Sequence, residues 1–218
     1  MTTCVKYVTA SELKEMDPRQ FEREYFRWAE WAWDDYYVED AQSYFIDMYR
    51  PKGIEIESLR YSISYSQGDY ASFDGRVFLA DWMEAVPPCP GGPTYAERYP
   101  ALYLACREDG SYMGVRGEDS RFGWRASFEE SWMGVGPCGV FSGLDEEDWE
   151  ELVADQAREA GLEVEVLRYC KDIGHELFRY LQDSYESATS EEAFIESCEA
   201  NDVKFEIEVE ENDDGVHS

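Results

Sequence analysis

The chain has 218 residues, which suits one large domain or two small ones, and its hydrophobic fraction of 44% is enough to build a core. Its formal net charge is −30, from 49 acidic and 19 basic residues. Because the apolar fraction is enough for a core, this acidity does not imply intrinsic disorder. It also argues against nucleic acid as a direct ligand, because phosphate binding needs a basic surface.

The six cysteines indicate the redox environment of the protein. None of them forms a C-x-x-C pair, and we see no signal peptide before them, so we expect reduced thiols that are mostly buried or half-buried. No apolar run approaches the roughly 20 residues of a membrane span. We therefore expect a cytoplasmic protein of a host cell that does not contact membranes. The cysteines are Cys4, Cys89, Cys106, Cys138, Cys170 and Cys198.

The N-terminal part predicts helices. Thr9 to Glu12 is one helix start, and Asp17 followed by Pro18 is a stronger one, with Gln20 placed to complete a capping box. The second helix should run to about residue 49, with a possible break near residues 34–35, and end at residues 50–53.

Aromatic residues widen the apolar surface of this helix beyond one stripe. Phe21, Tyr25 and Trp28 share a face, and Trp31, Trp33 and Tyr37 lie outside it. Such a helix is either packed on two sides or part of an interface, where aromatic side chains often act as anchors.

A β-hairpin follows and is the expected nucleus of the sheet. Apolar and polar residues alternate from Leu59 to Ser66 and again from Ala71 to Leu79, which is typical of half-buried strands. Gly68 and Asp69 suit a tight turn between them. The serines of the hairpin predict a polar sheet face, which is more often solvated than ligand-binding.

The middle of the chain predicts a β-meander. Residues 87–93 are a proline- and glycine-rich loop, and residues 95–99 suggest a short helix. Residues 102–106, 112–116 and 122–128 suggest strands. Residues 84–145 are a possible insertion within a single α+β domain.

The C-terminal part returns to helices. Asp145 should cap a helix that Gly161 ends, a long helix follows, and Thr189 to Glu192 reads as a capping box for a last helix. Alternation in residues 203–209 predicts a closing edge strand. The predicted fold is therefore α+β, with a central antiparallel sheet built on the hairpin and flanked by acidic N-terminal and C-terminal helices.

The residues do not identify a catalytic site or a cofactor. His175 lies beside carboxylates and His217 lies in the tail, which argues against a metal site. Arg107, Arg116, Arg121 and Arg125 could form an anion site on the sheet, although pairing with neighbouring acids is the commoner arrangement. A carboxylate dyad cannot be picked out among so many acids. We expect no enzyme activity, no cofactor and no metal.

The acidic runs are the strongest functional signal. Helical residues three or four apart lie about 5–6 Å apart, so acids in residues 145–159 form a row of charge. A second cluster of acids lies in residues 186–214, and a third lies in residues 34–47 of the long aromatic helix. Such surfaces can compete for a nucleic-acid-binding cleft. The predicted partner-binding residues are Asp145, Glu146, Glu147, Asp148, Glu150, Glu151, Asp155, Glu159, Asp34, Asp35, Glu39 and Asp40.

Several stretches together resemble a group of small acidic phage and mobile-element proteins. These are the S-Q-G-D-x-A-S-F hairpin with residues 53–56 before it, residues 21–28, residues 189–194 and residues 198–201. Some members are labelled antitoxin-like, and Tyr70 stands where the group has a small residue. The resemblance implies a phage or prophage setting. There, a strongly acidic small protein is similar in charge to DNA-mimicking inhibitors of the antirestriction or anti-CRISPR kind.

Four hypotheses follow. The first is an acidic DNA mimic that blocks a basic nucleic-acid-binding protein or nuclease complex of the host. The second is an antitoxin-like or regulatory module that binds its partner through Trp31, Trp33 and Tyr37. The third is a small enzyme that uses carboxylates, and the fourth is a halophilic protein whose acidity adapts it to salt. The expected partners also include a second copy of the chain, as a homodimer.

Overall fold

The computed structural model describes residues 2–33, 35–63, 69–117, 124–128 and 141–211. The chain divides into two compact units. We call residues 1–37 with 183–218 the terminal unit, and residues 38–182 the central unit. The predicted turn at Gly68 and the Cys138 thiol lie outside the described residues. The prediction of an insertion at residues 84–145 stays a prediction.

Helices and antiparallel strands make up both units, which confirms the α+β class. The elements are β1 (Thr2–Val8), α1 (Ala10–Met16), α2 (Pro18–Ala32), α3 (Asp35–Tyr49), β2 (Ile54–Ser62), β3 (Tyr70–Phe78), α4 (Leu79–Ala85), α5 (Tyr95–Arg98), α6 (Pro100–Asp109), β4 (Tyr112–Gly117), β5 (Trp124–Phe128), α7 (Glu146–Ala160), α8 (Leu162–Ala188), α9 (Glu191–Ala200) and β6 (Phe205–Glu211).

The terminal unit contains a two-stranded sheet of β1 and β6 that the sequence did not predict. The strands are antiparallel, with Thr2 opposite Glu211 and Val8 opposite Phe205. The prediction of an edge strand near the C-terminus is confirmed, but its expected place on the hairpin's sheet is wrong, because β1 is its partner. Helices α1, α2 and α9 supply most of the core beneath. Its buried residues are Val8, Ala10, Leu13, Phe21, Phe194, Cys198 and Ile207.

Helix caps in this unit follow the predicted residues with two differences. The Thr9–Glu12 capping box is present, and the Asp17 carboxylate accepts from the Gln20 backbone N–H at 3.0 Å. The Gln20 amide instead donates to the Glu206 carbonyl at 3.1 Å, which ties α2 to β6. Helix α9 is capped by Ser190 rather than by a box on Thr189.

The central unit is organised on the predicted hairpin. Its sheet has the order β2-β3-β4-β5, with every neighbouring pair antiparallel. The register of β2 shifts between Ile56 and Ser58. This bulge inserts one residue, so Leu59 and Tyr61 share a face with Ile54 and Ile56 although the spacing changes from even to odd.

The second face of the hairpin is not the solvated polar surface that the serines predict. Ser72 is fully buried and Ser62 is half-buried. Arg60 forms a two-pronged ion pair with Asp74, at 3.1 and 2.8 Å. The second face is therefore covered at Ser72, whereas Glu55 and Arg76, which pair across the strands on the same face, are exposed. On the opposite face, Gly75 lies across from Ile56, and a Cβ added there would be 2.0 Å from the Glu55 carbonyl oxygen.

One predicted strand is wrong. Residues 102–106 are part of helix α6, which begins with Pro100 at its first turn and ends at Gly110 with a φ of 70°. The apolar alternation of Leu102 and Cys106 coincides with a helical pattern, because Ala101 and Ala105 are buried with them. Helices α4, α5 and α6 thus lie between β3 and β4 in the sequence, although the two strands pair in the sheet. The sheet is therefore not a continuous meander.

Candidate functional site

Helix α7 carries the predicted acidic row. Asp145 caps it, and its carboxylate accepts from the Asp148 backbone N–H at 2.9 Å. Trp149 and Val153 are buried at 1% and 2% exposure, and they attach the apolar side of the helix to the central unit. Gly161 ends the helix with a φ of 57°. The acids are therefore held on a helix with one buried side.

All eight predicted acids of this segment are exposed. Two of them lie beside arginines: Asp155 pairs with Arg158 at 2.6 Å, and Glu159 lies 3.8 Å from Arg98. The negative charge is therefore most concentrated at the start of the helix. We call Glu146, Glu147, Glu150 and Glu151 the acidic group of α7.

The predicted acids of the aromatic N-terminal helix are only partly within the described residues. Asp34 lies outside the described residues, as does the side chain of Asp35, the first residue of α3. Glu39 and Asp40 are exposed in the central unit, and Asp40 accepts a hydrogen bond from the Tyr180 hydroxyl at 3.1 Å. This hydroxyl bond gives Asp40 a local role besides its charge.

The three aromatic anchor candidates differ in exposure. Trp31 is 81% exposed on α2. Trp33 is half-buried and stacks on Tyr37 with ring centroids 4.8 Å apart. Its ring also meets Tyr185 edge-on at 5.5 Å. The structure thus leaves Trp31 available to a partner and uses Trp33 and Tyr37 for internal packing.

A cavity of about 520 Å³ in the central unit was not predicted from the sequence. We call it the Trp82 cavity. Three aromatic rings contribute to its wall: Trp82 stacks on Tyr95 at 4.8 Å and meets Tyr169 edge-on at 6.2 Å. Its charged residues are Lys52, Glu165, Arg168 and Asp172. They come from segments more than a hundred residues apart, so no local pattern could have shown the site.

Hydrogen bonds organise one side of this cavity. The Tyr95 hydroxyl donates to Glu165 Oε2 at 3.0 Å, and Arg168 pairs with the same carboxylate. Burial and the Glu165 carboxylate raise the pKa of Tyr95 to about 12. Tyr95 therefore stays a neutral donor at physiological pH.

The other candidate sites gain little from the structure. Among the described residues, no group of His, Cys, Asp and Glu side chains could hold a metal ion, and His175 is exposed on α8. Arg107 donates to the Tyr103 hydroxyl at 3.1 Å, whereas Arg121 and the side chain of Arg125 lie outside the described residues. In the part of the chain that is described, no helix is long and apolar enough to cross a membrane.

Comparisons with models of known protein families, with curated proteins and with solved structures found no match. The case for a function therefore depends on the surfaces and the cavity of this chain.

Proposed function

We propose that the protein is a non-enzymatic acidic inhibitor that binds a basic, nucleic-acid-binding protein through helix α7. In a phage setting, which the sequence resemblance implies, the target would be a nuclease or defence complex of the host. The exposure of all eight predicted acids along one anchored helix is the observation that carries the proposal.

The charge density of α7 is comparable to that of DNA. With a rise of about 1.5 Å per residue, the segment from Asp145 to Glu159 is about 21 Å long. Its eight acids supply one formal charge per roughly 2.6 Å, and the six that lie apart from Arg98 and Arg158 supply one per roughly 3.5 Å, close to the 3.4 Å of one DNA strand. A basic cleft that binds phosphates would attract such a row at long range.

The buried side of α7 supports this role. Trp149 and Val153 fix the helix in the core, so the carboxylates need little ordering when they bind. A rigid row should bind with a more favourable free energy than a flexible acidic tail of equal charge, because less conformational entropy is lost on association.

The test is binding to host extract by two matched variants, with the captured proteins identified by mass spectrometry. One variant replaces the acidic group of α7 with glutamine. The control replaces four exposed acids of the terminal unit with glutamine, so it has the same net charge. These are Glu192, Glu196, Glu206 and Glu208.

We expect the wild type and the control to retain a basic nucleic-acid-binding protein at about 0.1 M salt and to release it near 1 M, where the Debye length falls to about 3 Å. The α7 variant should not retain it, and duplex DNA should displace the wild type. Equal retention of the target by the α7 variant and the wild type would refute the proposal.

A second candidate is the antitoxin-like or regulatory module, which the exposure of Trp31 favours. Large exposed aromatic residues are frequent anchors of interfaces. In the same capture experiment, Trp31→Ala should then abolish binding while the α7 variant binds normally and salt has little effect. The two candidates therefore give opposite results.

A further inference from the structure

A groove in the terminal unit follows the free side of strand β6. Its volume is about 500 Å³, and it is lined by residues 206–209 of β6 and by Met16, Asp17 and Gln20. Side chains of consecutive strand residues point to opposite faces of a sheet. A groove that is lined by four consecutive residues therefore runs along the side of the strand rather than over one face.

The free side of β6 carries backbone groups that can pair with a further strand. In an antiparallel pair, alternate residues direct their N–H and C=O groups towards the neighbouring strand and away from it. The Glu206 carbonyl accepts from the Gln20 side-chain amide at 3.1 Å, so Glu206 faces away from β1. Glu208 faces the same way, and among the described residues its N–H and C=O have no partner. Gln20 thus takes one position of a third strand, and Glu208 offers the next.

The charges beside this edge select the occupant. Glu206 and Glu208 are exposed, and within the described part of the chain neither has an ion-pair partner. A second copy of β6 would place these glutamates opposite each other, and like charges directly opposite destabilise a sheet. A lysine or arginine opposite each glutamate stabilises the pairing instead.

The position between two such cations favours an apolar residue. Ile207, between the two glutamates, is 7% exposed and belongs to the core that α1, α2 and α9 build. A residue opposite Ile207 would therefore point towards the helices. Met16 of α1 lines the groove there and is 47% exposed. An apolar side chain at this position would cover Met16.

We propose that β6 accepts an extended basic segment of a partner protein as a third, antiparallel strand. Lysine or arginine residues of this segment lie opposite Glu206 and Glu208, and the apolar residue between them contacts Met16. Every strand pair of the described structure is likewise antiparallel. The site is independent of the acidic group of α7.

The test measures binding of the end-blocked peptide Thr-Val-Lys-Val-Lys-Thr to the full-length protein by calorimetry. Because a net charge of −30 attracts any cationic peptide, the comparison needs derivatives of equal charge. One derivative has methyl groups on the backbone nitrogens of both lysines, which face β6 in the proposed pairing. The other has them on both valines, which face away. The valine derivative should bind about as tightly as the unmodified peptide, and the lysine derivative at least roughly tenfold more weakly.

Hydrogen exchange and matched variants locate the peptide on β6. The Glu208 amide should gain at least roughly tenfold protection when the unmodified peptide is saturating. Glu206→Gln combined with Glu208→Gln should weaken binding by about threefold or more. The control Glu192→Gln combined with Glu196→Gln has the same net charge and lies outside the groove, so it should bind like the wild type.

Three results would overturn the proposal. Equal binding of the two methylated peptides would show that charge alone attracts them. Absence of binding by the unmodified peptide would leave the glutamates only the role of preventing edge-to-edge association. Protection of the Glu208 amide in a dimer of the free protein would assign the edge to a second copy.

The two proposals can fail separately. The α7 variant of the capture experiment keeps both groove glutamates, so it should bind the peptide like the wild type. The control variant of that experiment lacks Glu206 and Glu208, so it should lose the peptide and still retain the target of α7.

Discussion

Helix α6 depends on a cap from another helix, and Gln156 of α7 supplies it. The local N-cap residue, Tyr99, makes no side-chain capping bond. Instead, Gln156 Oε1 accepts from the backbone N–H groups of Ala101 and Leu102, at 3.0 and 3.1 Å. Because Pro100 has no N–H, these two are the next donors of the helix start that need a partner.

The substitution Gln156→Leu removes both hydrogen bonds with a small change in side-chain volume. A net intramolecular hydrogen bond contributes about 0.5–1.5 kcal/mol, and loss of an N-cap costs about 0.5–2 kcal/mol. We therefore expect a loss of about 1–3 kcal/mol in the free energy of unfolding. Gln156→Glu keeps the acceptor and adds a negative charge at a helix N-terminus, which favours anions. It should be at least as stable as the wild type.

Urea denaturation followed by circular dichroism gives the free energy of unfolding of all three proteins. Amide hydrogen exchange at Ala101 and Leu102 gives the local effect, which should be a loss of protection of about tenfold or more in Gln156→Leu. If Gln156→Leu lies within about 0.5 kcal/mol of the wild type, as ordinary surface substitutions do, the capping argument is refuted. It is also refuted if Gln156→Glu is as unstable as Gln156→Leu.

Three further predictions concern thiols, pH and packing. Cys89 is exposed, whereas burial raises the pKa of Cys106 and of Cys170 to about 12. Iodoacetamide at about pH 8 should therefore label Cys89 in the folded protein and label the other two thiols only after unfolding. Peptide mapping by mass spectrometry measures which cysteines are labelled. The pKa of Tyr95 is raised to about 12 in the folded protein, so its contribution to stability is complete below the unfolded pKa of about 10 and is lost as the pH rises towards 12. In urea titrations between these pH values, the free energy of unfolding should fall less steeply with pH for Tyr95→Phe than for the wild type. Equal slopes for the two proteins would contradict this. Gly75→Ala should lower the free energy of unfolding by about 1–3 kcal/mol through overpacking against β2, while Gly143→Ala, where an added Cβ meets nothing within 4 Å, is the matched control.

Tertiary contacts overruled the local pattern at two places. Leu102, Leu104 and Cys106 alternate like a strand, but the α6 helix buries Ala101 and Ala105 beside Leu102 and Cys106, and α7 caps its start. The bulge in β2 likewise leaves no mark in the sequence, since both halves of the strand alternate normally. Only pairing with β3 shows where the phase changes.

The candidate surfaces differ in the same way. The acids of α7 could be predicted because helical spacing and a capped start place them by local rules, and the structure confirms both their helix and their exposure. The difference in exposure between Trp31 and the half-buried Trp33 could not be predicted, since both lie near the end of one aromatic helix. Their difference depends on whether Tyr37 and Tyr185 lie next to the ring.

The sequence by itself determined the α+β class, the main helix ends, the hairpin strands and the acidic face of α7. These features follow from interactions within a few residues: caps, positive φ at glycine, and periods of 3.6 and 2. Only the tertiary structure decided the pairing of β1 with β6, the cap from Gln156 and the Trp82 cavity. Each of these joins residues that are distant in the chain, and the free energy that selects such contacts comes from burial and from hydrogen bonds that exist only after folding.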